Sequence, residues 1–297
     1  MTIVSDTVTI AAAQMGPADD DKGMMVERML TLLSQAGDAG VHVLCFPELA
    51  LTPYFPAKLY DDIRPFFEED FPPAVAEPLY RLAGELGISI ILPYAERDGD
   101  GYYNTAAIFG AQGEVLGKYR KMHLPGWVEP KPEGFNCLEK RYFTPGDLGF
   151  PVFETPRATI GVQICYDRRF PEAARGLALN GAQVVFTPYV TPVPTQRPAE
   201  INPSELCLRA SAHSNNCFVV GAAKAGVENG TRMIGNSIVV EPRTGNVVAR
   251  AATDGDELVW AEVDLAQLKD IEKLDLLGDR RPEWYGAIAD AAPRERT

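Results

Sequence analysis

Ala158-Thr-Ile-Gly-Val-Gln-Ile-Cys165-Tyr-Asp-Arg-Arg-Phe-Pro171 is the stretch whose reading decides the fold. Ile160 to Ile164 is apolar and β-prone, and the run stops abruptly at Cys165. Pro171 then opens a helical pattern, Glu172-Ala-Ala-Arg-Gly-Leu-Ala-Leu. A strand end feeding a helix is where α/β proteins open their ligand crevices. A thiol there faces a helix start, whose N–H groups and dipole favour a thiolate and a developing anion. Cys165 is therefore the candidate nucleophile, and the rest of the chain is read for its partners.

Upstream, Thr7–Ala13 and Val41–Phe46 read as strands around a helix over Asp21–Ala36 that Gly40 stops. A second helix over Ala74–Leu86 is closed by Gly87, and Ile88–Leu92 is the next strand. Asn104–Phe109 and Val115–Tyr119 read as a hairpin turning at 111–113. Residues 122–150 form a long loop whose aromatics, Trp127, Phe135, Tyr142 and Phe143, predict order. Downstream come a strand over Gln183–Thr187, a proline-rich loop over Thr191–Pro203 and a helix over Glu205–Ser214. Strands are expected over Cys217–Ala223, Ser237–Glu241, Val247–Ala251 and Leu258–Val263, and a last helix over Asp264–Leu274. No composition shift marks a linker. The expectation is a single domain over 1–297 with a polar tail from about 276, its helices on the outer faces of two facing sheets.

The 297 residues carry a net charge of −13, which argues against nucleic-acid and anionic-membrane partners. No apolar run approaches the roughly 20 residues that cross a bilayer. The N-terminus lacks the basic start and apolar block of a secretory signal. Five scattered cysteines form no disulfide framework and no zinc spacing. Cytoplasmic location, no metal and no cofactor are the expectations.

A cysteine nucleophile needs a base and a group to hold the oxyanion. His42 and His213 lie in a strand and a helix, and His123 is read as a buttress for its loop. Glu48, at the end of its own strand in Cys45-Phe-Pro-Glu-Leu-Ala, is the stronger base. Crowded by Phe46, Leu49 and Leu51, it suits a carboxylate that accepts and returns a proton near neutral pH. Lys121, in Gly117-Lys-Tyr-Arg-Lys-Met-His-Leu-Pro125, ends another strand and supplies the ammonium, while Lys118 and Arg120 are expected in solvent.

These three stretches resemble the three signatures of the nitrilase superfamily of carbon–nitrogen hydrolases. The resemblance covers residues 5 to about 275. It implies a four-layer αββα sandwich of two facing mixed sheets and a Glu48–Lys121–Cys165 triad. Glu139 resembles the second acidic residue that positions substrate and Lys121. The Arg168-Arg169 doublet and Glu139-Lys-Arg-Tyr-Phe-Thr-Pro-Gly-Asp-Leu-Gly-Phe-Pro151 resemble the N-carbamoyl-D-amino acid amidohydrolase branch. There, an arginine of the doublet grips the substrate carboxylate, as a planar guanidinium does in two parallel hydrogen bonds.

Tyr166 and Cys137 depart from that branch's Asn and His, which leaves the substrate side chain and stereochemistry open. The implied substrate is a small carboxylated ureide. Arg168, Arg169, Tyr166 and Thr191 are the expected binding residues, with the Tyr166 N–H as second oxyanion donor. Arg169 has a competing local role beside Asp167 or Glu172. The rival readings are an amidase for β-ureidopropionate, N-carbamoylputrescine or an aliphatic amide, and a non-catalytic scaffold of the same fold. The resemblance also implies a homo-oligomer, dimer or tetramer, with Trp284-Tyr285 in the tail as a docking element.

Overall fold

A computed structural model describes residues 6–193, 202–269 and 275–289. The chain opens with β1 (Thr7–Gln14), α1 (Lys22–Asp38), β2 (Val43–Cys45), α2 (Glu77–Leu86) and β3 (Ser89–Asp98). β4 (Gly101–Phe109) and β5 (Val115–Arg120) follow, then a single turn, α3 (Glu139–Tyr142). The second half runs β6 (Val152–Glu154), β7 (Thr159–Val162), α4 (Pro171–Leu179), β8 (Val184–Tyr189), α5 (Pro203–Asn215) and β9 (Phe218–Ala223). It closes with β10 (Ala225–Glu228), β11 (Thr231–Ile234), β12 (Ile238–Val240), β13 (Val247–Arg250), β14 (Glu257–Asp264) and the short α6 (Gly286–Ala289).

Two mixed six-stranded sheets face each other, ordered β14-β1-β2-β3-β4-β5 and β13-β12-β9-β8-β7-β6. Read from β14 and from β6, the two sheets repeat one pairing pattern: antiparallel, parallel, parallel, antiparallel, antiparallel. The αββα expectation is met. The parallel strands read as unbroken apolar runs because both of their faces are buried. In β1, Val8, Ile10 and Ala12 enter the core between the sheets. Ala11 and Ala13 face the core under α1 and α2, with Met25, Met29 and Leu33. On the other side, Leu177 of α4 and Leu208 of α5 close over the second sheet. A Cβ at Gly221 would stand 2.6 Å from Leu208, so only glycine admits α5 this close.

Caps fall where turn chemistry puts them. Asp21 accepts from Gly23 N–H at 2.8 Å at the start of α1, and Gly87 (φ +72°) ends α2 in the left-handed region. Asp264 caps a 3₁₀ turn over Leu265–Leu268, and the rest of the expected terminal helix, 270–274, lies outside the described residues. Most of the 191–203 loop and the tail beyond 289 lie outside them too. Trp284 is 76% exposed.

Two expectations need correction. Lys118 and Arg120 are not solvated: both pair with the buried Glu96, and Arg120 is itself buried. The chain also forms a hairpin, β10–β11, that the hydrophobic pattern did not indicate. Among the described residues, no helix is long and apolar enough to cross a membrane.

Candidate active site

Glu48 follows β2, Lys121 follows β5, Cys165 follows β7, and Val190 and Thr191 follow β8. Four strand ends therefore deliver side chains to one place. Among the described residues, two of the five non-glycine residues with positive φ lie here, Leu49 and Cys165, both at +49°. The other three are asparagines, which tolerate that region. Strain of this kind at a strand-to-turn junction persists only where surrounding contacts enforce it.

Those contacts centre on Asp167, which is fully buried. Its carboxylate accepts from Ile164 N–H (2.9 Å), Tyr119 Oη (2.8 Å) and His123 N–H (2.9 Å), and meets His123 Nδ1 at 2.7 Å. One carboxylate thus ties the turn carrying Cys165 to the segment carrying Lys121. His123 is the expected buttress, and it stacks on Phe170.

Lys121 Nζ is buried between two carboxylates, 2.7 Å from Glu48 Oε1 and 2.6 Å from Glu139 Oε2. Glu48 Oε1 also accepts from Asn104 Nδ2 at 2.8 Å. Glu139 Oε1 accepts from Tyr54 Oη at 2.7 Å. The Val190 backbone joins acid and sulfur: its N–H donates to Glu48 Oε2 at 2.8 Å, and its carbonyl accepts from the Cys165 thiol at 3.3 Å. Glu48, Lys121, Glu139 and Cys165 therefore share one buried cluster.

Burial pushes the Cys165 thiol up to about 11. Glu48 adds to the rise, and Lys121 and Arg168 oppose it. The sulfur is therefore a thiol at rest, because burial and Glu48 outweigh Lys121 and Arg168. Burial also pushes Glu139 up to about 7, against the pull of Lys121. Lys121 stays charged despite its burial, because Glu139 and then Glu48 hold the ammonium.

A cavity of about 250 Å³ opens onto Cys165 and Glu139 and is lined also by Arg168, Arg169, Tyr166 and Thr191. Glu48 and Lys121 lie out of solvent's reach. Arg168 is 4% exposed. One terminal nitrogen donates to Cys165 O (2.5 Å) and approaches its Sγ (3.4 Å). The other donates to Thr191 Oγ1 (2.9 Å) and Ser204 Oγ (2.7 Å). Among the described residues its Nε is buried without an acceptor, and none of these partners carries a full negative charge. Arg169 is exposed at the rim and forms no ion pair with Asp167 or Glu172 among the described residues.

Tyr54, Asn104, Asp167 and Ser204 were not singled out as site residues from the sequence. A buried asparagine inside β4 was the one local signal among them, since such a side chain needs a partner. Cys137 departs from the branch's His. It lines the cavity, 3.2 Å from Tyr54 Oη.

A family model for carbon–nitrogen hydrolases matches residues 9–273. A nitrilase of Pyrococcus abyssi (strain GE5 / Orsay) is 34% identical, over 94% of this chain and 99% of its own. A citrullinase of Francisella tularensis subsp. tularensis (strain SCHU S4 / Schu 4) is 31% identical, over 95% and 98%. An N-carbamoylputrescine amidase of Solanum lycopersicum is 33% identical, over 95% and 94%. The crystal structure of a carbon–nitrogen hydrolase from Helicobacter pylori G27 has a TM-score of 0.83 at 27% identity, covering 96% of this chain and 98% of that one.

Proposed function

The chain belongs to the carbon–nitrogen hydrolase family, and on that premise we propose that it hydrolyses the ureido C–N bond of an N-carbamoyl amino acid. The products are the amino acid, carbon dioxide and ammonia. Hydrolysis of a non-peptide C–N bond is common ground for the relatives; the carboxylated ureide is the specific reading. One observation carries it: a buried guanidinium, Arg168, faces the cavity of Cys165 without a carboxylate partner among the described residues. Neutral acceptors and the Tyr189 ring, 4.9 Å from the guanidinium carbon, are its partners; a buried charge without a counter-charge is costly, and a substrate carboxylate would supply one.

Glu48 takes the thiol proton as Cys165 Sγ attacks the ureido carbonyl. Lys121 Nζ and the Tyr166 N–H, in the turn that follows β7, hold the oxyanion. Collapse breaks the C–N bond, and Glu48 returns the proton to the departing ammonia. The carbonyl carbon remains on sulfur as a carbamoyl thioester. Water, losing a proton to Glu48, adds to the thioester; the C–S bond breaks, the thiolate recovers that proton, and the carbamic acid released decays to amino acid and carbon dioxide. Glu139 orients Lys121 and the substrate's departing amide.

A second reading, a ureide or amide without a carboxylate, is favoured by the acceptors that both terminal nitrogens of Arg168 already hold. One panel decides: ammonia release from paired D- and L-N-carbamoyl amino acids, β-ureidopropionate, N-carbamoylputrescine and a neutral aliphatic amide. Arg168→Leu is expected to raise KM for carboxylated ureides by about 10- to 100-fold, as loss of a charged hydrogen bond does, and to leave the KM of neutral amides nearly unchanged. Equal KM effects on both would assign the site to the second reading.

A further inference from the structure

Lys224 is a second fully buried lysine, and the reaction above does not use it. It lies where the sheets join: Met15 N–H donates to Ala223 O at 3.1 Å, and Ala225 N–H returns to Met15 O at 2.8 Å. Its Nζ donates to the carbonyl of Thr52 and stands 3.6 Å from Glu228 Oε2. Glu228, also buried, accepts from Tyr54 N–H at 2.5 Å and from Ala18 N–H at 2.9 Å. Two backbone groups of the 52–54 segment are thus gripped by one ion pair. Tyr54 then reaches Glu139, and Glu139 reaches Lys121. The β10–β11 hairpin that carries Glu228 also holds the other wall. Ile234 N–H donates to Thr191 O at 2.8 Å, next to the Val190 peptide that contacts both Glu48 and Cys165.

We propose that Lys224 and Glu228 are positioning residues that set Tyr54, and through it Glu139 and Lys121, for the reaction at Cys165. Burying an ion pair is seldom the most stable way to fill such a space, so its placement against backbone atoms of the site points to geometry rather than to stability. The inference rests on the proposed chemistry at Cys165, and its test separates the two.

Glu228→Gln keeps the size and one acceptor. It is expected to lower kcat about tenfold with KM held within about twofold, the scale of a sub-ångström displacement at a reacting centre. The decisive comparison is a cycle with Tyr54→Phe: the double variant is expected to be no slower than Tyr54→Phe alone, since both break one relay. Lys224→Met, where it folds, should behave as Glu228→Gln does. Wild-type kcat in Glu228→Gln, or penalties that multiply in the double variant, would overturn the positioning role. The rate of Cys165 alkylation by iodoacetamide, followed by peptide mass spectrometry, gives the same cycle without any substrate. Coupled alkylation rates with no ureide turnover would sink the substrate reading and keep the brace. Uncoupled rates with normal turnover would do the reverse.

Discussion

Once Glu139 ionises, Lys121 carries one positive charge against the two carboxylates of Glu48 and Glu139, and all three side chains are buried. Burial first, and Glu48 after it, keeps Cys165 a thiol against Lys121 and Arg168, and burial gives Glu139 its raised proton affinity against the pull of Lys121. On the proposed mechanism the nucleophile is therefore made during attack, by transfer to Glu48, and not stored beforehand. Lys121→Ala removes the common partner of both carboxylates as well as the proposed oxyanion donor. Turnover should fall by about 10²–10³ or more, the measured scale for losing one such donor. Single-turnover ammonia release, with circular dichroism to confirm folding, checks it. Cys165→Ser should be slower still. A Cys165→Ala variant that hydrolyses like wild type would end the nucleophile assignment.

Among the connecting segments, the turn after β7 matters most. Asp167 holds it with three hydrogen bonds and a contact to His123, from β5, the 121–123 segment and the turn itself. Asp167→Asn turns an acceptor-only group into one with two donors, facing donors. It should cost about 1–3 kcal/mol, the range for unsatisfied buried polar groups, whereas Tyr119→Phe, which deletes one bond, should cost about 1 kcal/mol. Urea unfolding measures both, and equal losses would contradict the central role of Asp167. The strand ends that carry Glu48, Lys121 and Cys165 were legible because apolar runs stop sharply at polar, motif-bearing residues. Tyr54 was not, because its role is a contact across 85 residues of chain; Asn104 was hinted at only as a polar residue in a strand, its partner lying 56 residues away. β6 is too short for its periodicity to register. The β10–β11 hairpin did leave a signal, Asn229-Gly230, both at positive φ. That pair is a strong hairpin marker, and the few apolar residues around it masked it.

At the scale of the whole molecule, the cluster should appear as a slope of stability against pH. Glu139 binds its proton up to about 7 in the folded chain, against an ordinary value of 4.5. Between those values the native state holds a proton that the unfolded chain has lost, so stability falls as pH rises through the window and levels off above it. His42 works in the opposite direction. Burial, with Arg157 nearby, holds its imidazole below the usual 6.5, so stability gained from it rises with pH up to that point. Carboxylates held low by partners, such as Asp256 beside Arg28, lose their contribution only as pH falls below the ordinary carboxylate range. The Glu139 slope is therefore isolated by difference. Glu139→Gln keeps the volume and removes the titration. Unfolding free energies by urea at pH 5, 6, 7 and 8 should show wild type losing stability relative to Glu139→Gln up to about pH 7 and holding a constant deficit above it. Catalysis should run the other way, with wild-type kcat rising across the window in which Glu139 becomes the ionised partner of Lys121. A difference curve flat from pH 5 to 8 would mean that the carboxyl titrates alike in both states, and the charge assignment of the cluster would have to be redrawn.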